Sequence, residues 1–145
     1  MRTSCLLLLL PILSGAAYPL LRSVQDCSNG QSLGHITSIT MTPSAPVSGD
    51  WIQLDVEYSL DKPITGGTAS YAASFNGFPL TPTTDDLCTD LANTTTPCPI
   101  DAGFVHYIGV LQVGDGSVHG TIAATTTWKD QDGYQILCFG FAVRV

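Results

Sequence analysis

The chain has 145 residues and a formal net charge of −7, from 5 Lys and Arg against 12 Asp and Glu. That length suits one domain with a sizeable core and is short for two. The acidic balance leaves no basic stripe, which excludes nucleic acid as a partner; contact with a membrane would have to be apolar, or occur at acidic pH where carboxylates begin to protonate.

Residues 1–17 read as a secretory signal peptide. Arg2 is the positive start, residues 6–13 are an apolar run interrupted by Pro11, and Ser14-Gly15-Ala16-Ala17 is a small-residue cleavage region. The run is short of the ~20 apolar residues that span a bilayer. Cys5 leaves with this segment, so five cysteines become four: Cys27, Cys88, Cys98 and Cys138. Four cysteines behind a secretory leader read as disulfides, with three pairings possible. The polar stretch between Cys88 and Cys98 suits a local loop closure, which would leave Cys27 for Cys138. A metal site is the competing use of cysteine. Only His35, His106 and His119 could assist, and none stands at a zinc-ligand spacing from a cysteine.

Residues 18–25 are expected to form a loose N-terminal arm. Strand signals then follow one another, and no stretch of helical period stands out. Residues 36–41 are rich in β-branched side chains. Over 51–58 the pattern alternates, with Ile52, Leu54, Val56 and Tyr58 on one face and Gln53, Asp55 and Glu57 on the other, as in a strand with one buried and one wet face. Gly66-Gly67 opens a strand over 68–75, and Asn76-Gly77 is a strong hairpin signal. Residues 103–113 place Val105, Tyr107, Leu111 and Val113 on one face; residues 121–128 place Ile122, Ala124, Thr126 and Trp128 together. Asp130 to Gly133 is a turn, and residues 134–145 alternate with Phe139, Phe141, Val143 and Val145 on one side. About seven short strands separated by turn signals predict an all-β, antiparallel two-sheet β-sandwich.

Several inward positions are small or polar: Ala69 or Ala73, Gly109, Ala124 and Thr126. Aromatic residues surround them. Such a mixture either packs small against large or leaves an apolar cavity that invites an apolar ligand.

The order of motifs resembles the ML lipid-recognition family, whose members include the lysosomal Niemann–Pick sterol carrier, fungal phosphatidylglycerol/phosphatidylinositol transfer proteins and group-two mite allergens. The carriers of the resemblance are Asp26-Cys27, the segment from Pro43 to Gly49, Lys62-Pro63-Ile64-Thr65-Gly66-Gly67, Asn76-Gly77-Phe78-Pro79-Leu80, Asp86-Leu87-Cys88, Cys98-Pro99-Ile100 with Gly103, and Asp132-Gly133 ahead of Cys138. They span residues 26–145. The Asp-Leu-Cys spelling leans toward the fungal and plant transfer-protein branch. The resemblance implies an immunoglobulin-like sandwich with an apolar inter-sheet cavity, the pairings Cys27–Cys138 and Cys88–Cys98, and a lipid as ligand with no cofactor. A third disulfide found in some members has no counterpart, because residues 42–49 lack cysteine. The aromatic that lines the family's pocket upstream of the inner disulfide falls at Leu80. The tyrosine-bearing loop at the mouth falls at residues 114–118, where Val118 is the expected apolar rim.

The expected lining, from alternation and resemblance together, is Leu54, Val56, Tyr58, Tyr71, Phe75, Leu80, Tyr107, Leu111, Val118, Phe139, Phe141 and Val143. The expected function is that of a non-enzymatic carrier, secreted or in the lysosome or vacuole lumen. It would hold a sterol or one phospholipid, touch membranes transiently through apolar rim residues, act as a monomer and hand its lipid to a lumenal membrane-protein acceptor. A lipid-sensing recognition module or co-receptor on the same fold is the alternative. Catalysis has weak support. Asp85-Asp86 sits in a Thr-rich loop where solvation or turn capping is the simpler role, and no serine lies in a nucleophile-elbow sequence. The three histidines read as surface or strand-edge residues, with pH sensing open to one of them. Asn93-Thr94-Thr95 is an N-glycosylation sequon in the Cys88–Cys98 loop.

Overall fold

A computed structural model describes residues 23–28 and 30–145. The segment over residues 1–17 expected to be a signal peptide lies outside the described residues. The elements, in chain order, are β1 (Ser23–Asp26), β2 (Gly34–Thr42), β3 (Trp51–Leu60), β4 (Gly67–Phe75), β5 (Phe78–Pro79), β6 (Thr83–Asp86), α1 (Leu87–Leu91), β7 (Gly103–Gln112), β8 (Thr121–Asp130) and β9 (Gln135–Arg144). One sheet runs β1-β9-β8-β4, with β5 and β6 both on the far edge of β4. The other runs β2-β3-β7. All the pairings are antiparallel. The two sheets form a sandwich.

Alternation decides which side chains meet between the sheets. In β3, Ile52, Leu54, Val56, Tyr58 and Leu60 are all buried, while Trp51 and Gln53 stand outside. Burial of such a stripe stabilises by roughly 25 cal/mol per Å² of apolar surface, which is why the register cannot slip by one residue. Asn76 and Gly77 take φ of 49° and 82°, the positive pair that a two-residue hairpin turn needs between Phe75 and Phe78.

Three features depart from the sequence-based expectation. The arm begins outside the described residues, but Ser23, Val24 and Gln25 are already in β1, paired with Ala142, Phe141 and Gly140. Cys27 is bonded to Cys138, so the residues just before it lie alongside β9. A short helix follows β6: Asp86 caps α1 by accepting a hydrogen bond from the Thr89 N–H at 2.8 Å. One turn is too short to show helical period in the sequence. The 130–133 turn starts later, because Asp130 still belongs to β8.

One end of the sandwich is tightly shut. A Cβ at Gly34 would stand 2.7 Å from Leu137 Cδ2, so β2 and β9 approach as closely as a glycine allows. Leu60, Ile64, Leu87, Leu91 and Ile136 fill that end. Ile64 and Ile100 exchange two backbone hydrogen bonds of 2.9 Å, fastening the segments on either side of α1. Lys62 Nζ meets the buried Asp130 carboxylate at 2.7 Å, and Asp130 also accepts from the N–H groups of Asp132 and Tyr134.

Candidate lipid pocket

Away from the shut end, the same alternation brings short side chains face to face. Leu54 lies opposite Gly109 in the β3–β7 pair. In the other sheet, Tyr71, Thr126 and Phe139 form one cross-strand row and Ala73, Ala124 and Phe141 the next. Gly109 has no side chain, and Ala124 and Thr126 are short. The result is a partly enclosed pocket of about 340 Å³, lined by Leu54, Tyr107, Gly109, Val110 and Leu111 from one sheet and Tyr71, Ala124, Thr126, Phe139 and Phe141 from the other. Small-molecule sites are typically about 300–1,000 Å³, concave and mostly apolar. Two further depressions, of about 220 and 290 Å³, lie beside Cys27 and along the 95–106 segment.

The pocket rests on three aromatic rings. Tyr107 and Trp128 meet edge to face at 4.8 Å, Trp128 and Phe139 do the same at 5.9 Å, and Tyr107 and Phe139 are 6.4 Å apart. Edge-to-face packing of this kind adds about 0.5–1.5 kcal/mol per pair beyond area burial. The floor is therefore rigid and apolar.

No Lys, Arg, His, Asp or Glu is among the lining residues. The polar groups are hydroxyls and main chain. Tyr71 donates its hydroxyl hydrogen to Asp90 Oδ2 at 2.7 Å, joining the pocket wall to α1. Burial pushes the acidity of Tyr71 well down, and the hydrogen bond to Asp90 adds to the effect. Burial likewise raises the Tyr107 pKa, with the Asp90 charge reinforcing it. Both phenols stay neutral, and the site presents no charge to its contents.

Six of the twelve side chains expected from the sequence line this pocket: Leu54, Tyr71, Tyr107, Leu111, Phe139 and Phe141. Val56, Tyr58 and Val143 point inward but are fully buried in packed core and lie outside it. Phe75 is half-buried in the row with Ile122. Leu80 is 54% exposed and is tied by its N–H to the Ala73 carbonyl. Val118 is half-buried beside Gly114. The lining that the expected set omits is Gly109, Val110, Ala124 and Thr126. Three of these were visible as small inward positions among aromatics; Val110 had no such signal.

The structure pairs Cys27 with Cys138 and Cys88 with Cys98. Asn93 is exposed in the turn after α1. His35 and His106 are exposed on strands and face Asp61 and Asp55. Among the described residues, no group of three His, Cys, Asp or Glu could hold a metal ion.

A two-sheet sandwich with an uncharged pocket between its sheets defines a class of apolar-ligand binders. Residues 22–145 match the model of the ML domain, and the chain belongs to that family of non-enzymatic lipid-binding proteins. It is 25% identical to phosphatidylglycerol/phosphatidylinositol transfer protein 1 of Dictyostelium discoideum, over 83% of this chain and 78% of that one. A second protein of that organism, also named as such a transfer protein, is 28% identical over 73% and 72% of the two chains. Among solved structures, a Niemann–Pick type C2 protein from Japanese carpenter ant superposes with a TM-score of 0.64 at 14% identity, over 84% of this chain and 98% of that one. Chicken MD-1, solved in complex with lipid IVa, gives 0.62 at 17% identity over 83% and 86%. At those identities the two structures speak for the fold.

Proposed function

We propose that this chain is a carrier that holds one sterol, or the apolar part of one phospholipid, between its sheets and exchanges it with membranes. The observation that carries this reading is the uncharged, aromatic-floored pocket between β3–β7 and β4–β8–β9. It shields apolar surface from water and offers no group for bond making. Each buried methylene stabilises the complex by about 0.8 kcal/mol before ordering costs. Exchange would proceed with the exposed Val110 and Leu80 replacing water around the leaving lipid. The two disulfides fit passage through the secretory pathway. A secreted or lysosomal/vacuolar lumen, a monomeric state, a lumenal membrane-protein acceptor and a glycan on Asn93 complete the proposal.

The test is transfer of fluorescent sterol, and separately of phosphatidylglycerol and phosphatidylinositol, from donor to acceptor vesicles at pH 5 and pH 7. Acceleration by stoichiometric amounts of protein is the expected result; no acceleration with any of these lipids would overturn the reading.

The recognition-module alternative has one observation in its favour. Trp51, Phe104 and Val110 stand 60–70% exposed on the outer face of the three-stranded sheet, an apolar surface that a partner protein could cover. Stable capture of a receptor ectodomain that buries Trp51, without lipid transfer, would favour that reading over the carrier.

A further inference from the structure

β7 is the edge strand of its sheet, and its outer edge is only partly covered. The Thr95 hydroxyl donates to the His106 carbonyl at 3.1 Å and accepts from the Ile108 N–H at 3.2 Å; the Thr96 hydroxyl also donates to His106. Thr95 thus acts as a side-chain substitute for a neighbouring strand. These bonds show that the main-chain groups of His106 and Ile108 point away from β3. Val113, by contrast, turns its N–H and carbonyl toward Asp50 and Gly49 at the start of β3. The β3–β7 register has no bulge between them. Antiparallel geometry therefore turns the N–H and carbonyl of Val110 outward, like those of His106 and Ile108. No described group bonds either of them.

Val110 nevertheless lines the pocket. Its side chain shares the outer face with Ile108 and Gln112, whereas Gly109 and Leu111 point inward, so Val110 brings its main chain to the pocket. An unpaired N–H and an unpaired carbonyl on one residue stand at the margin of an otherwise apolar site. They are matched by a group that both accepts and donates a hydrogen bond. A phosphate fits poorly: it cannot use the carbonyl when ionised, no cation lines the site, and Asp90 stands behind Tyr71.

We infer that the main chain of Val110 anchors the polar end of the bound lipid, and that the site selects lipids ending in a neutral donor–acceptor group such as a hydroxyl. The inference rests on the carrier reading above. One hydrogen bond net of its competition with water corresponds to about a 3- to 10-fold preference.

The test incubates the protein with an equimolar mixture of 1-hexadecanol and 1-methoxyhexadecane, separates protein from free lipid by gel filtration and quantifies both bound species. The alcohol is expected to be enriched 3- to 10-fold. Val110→Pro, tolerable on the free edge of a strand, removes the N–H from which either lipid oxygen can accept and keeps the carbonyl, so the amount of each lipid bound is expected to fall about 3- to 10-fold while the alcohol stays enriched over the ether. Hydrogen exchange on the wild-type chain gives an independent readout: the Val110 amide should slow on loading with either lipid, because the ether oxygen accepts its hydrogen as the hydroxyl oxygen does. Equal binding of the two by the wild type, unchanged binding of both lipids by Val110→Pro, or an unchanged Val110 exchange rate on alcohol loading would overturn the anchor. Absence of binding by either would overturn the carrier reading itself.

Discussion

The ring of Tyr107 lies back along its own strand over Gly109: a Cβ at Gly109 would come within 2.6 Å of Tyr107 Oη and 3.0 Å of Cε1 and Cζ. The missing side chain at 109 gives the ring its resting place and the pocket its depth. Gly109 has no left-handed φ, so space and not backbone conformation selects glycine.

Gly109→Leu tests that relationship. The added side chain displaces the Tyr107 ring into the pocket, and overpacking of this kind costs about 1–3 kcal/mol. Lipid loading should fall at least ~10-fold, while the chain remains folded. Gly109→Ala should fall between the two. Loading measured by extraction and unfolding measured in urea separate these effects; full loading by the leucine variant would show that the lipid lies elsewhere.

Tyr58 Oη and Trp128 Nε1 are buried without a hydrogen-bond partner. An unmet buried hydroxyl costs about 1–3 kcal/mol of desolvation. Tyr58→Phe keeps the ring and removes that cost, so it should leave urea stability unchanged or raise it by about 1 kcal/mol. Loading should not change, because Tyr58 lies outside the pocket. A clear loss of stability would mean that the hydroxyl is bonded.

The Asp130 carboxyl is held below the usual carboxylate range. Burial alone would raise it, but the Lys62 ammonium and the N–H groups of Tyr134 and Asp132 outweigh that. A depressed folded pKa stabilises above the unfolded value, near 3.9, and its contribution is lost as pH falls through the folded value. Asp130→Asn should therefore cost about 2–3 kcal/mol, with a cost flat from pH 7 to pH 5 that shrinks only below about pH 4. A cost already falling between pH 7 and pH 5 would contradict this assignment. On this account the shut end of the sandwich holds at the pH of an acidic lumen.

Cys88 and Cys98 close a loop with a sequence separation of 10, and Cys27 and Cys138 one of 111. Chain-entropy arithmetic gives about 3 and about 5 kcal/mol for the two. Replacing each pair by alanine should reproduce that order in urea melts. Loss of the short loop should also free Thr95 and Thr96, exposing the Ile108 amide to faster hydrogen exchange; a protected Ile108 would show that the loop holds without its disulfide.

Much of this was legible in the residues. Alternation in 51–58, 103–113 and 134–145 gave the inward faces, and Asn76-Gly77 gave a hairpin. Period two tells which face a side chain takes but not how deep it sits. Leu54 and Val56 are equivalent by pattern, yet Val56 packs in solid core while Leu54 borders the pocket. The difference is Gly109 opposite Leu54, where Val56 faces Tyr107. The small residues carried the better signal for the cavity, because a pocket is made by the side chains that are missing. Val110 could not be found by any side-chain rule. Its contribution comes from β7 being an edge and from Thr95 stopping short of it, which only the register reveals.

The central claim is that the space between the sheets holds a lipid. The direct measurement is to purify the protein from its secretory host under native conditions, extract it with organic solvent and quantify the lipid by mass spectrometry, beside the Gly109→Leu variant prepared in parallel. The account predicts near-stoichiometric sterol or phospholipid in the wild type and at least ~10-fold less in the variant. Wild-type protein that carries no lipid, and takes none up from vesicles at pH 5 or pH 7, would contradict it.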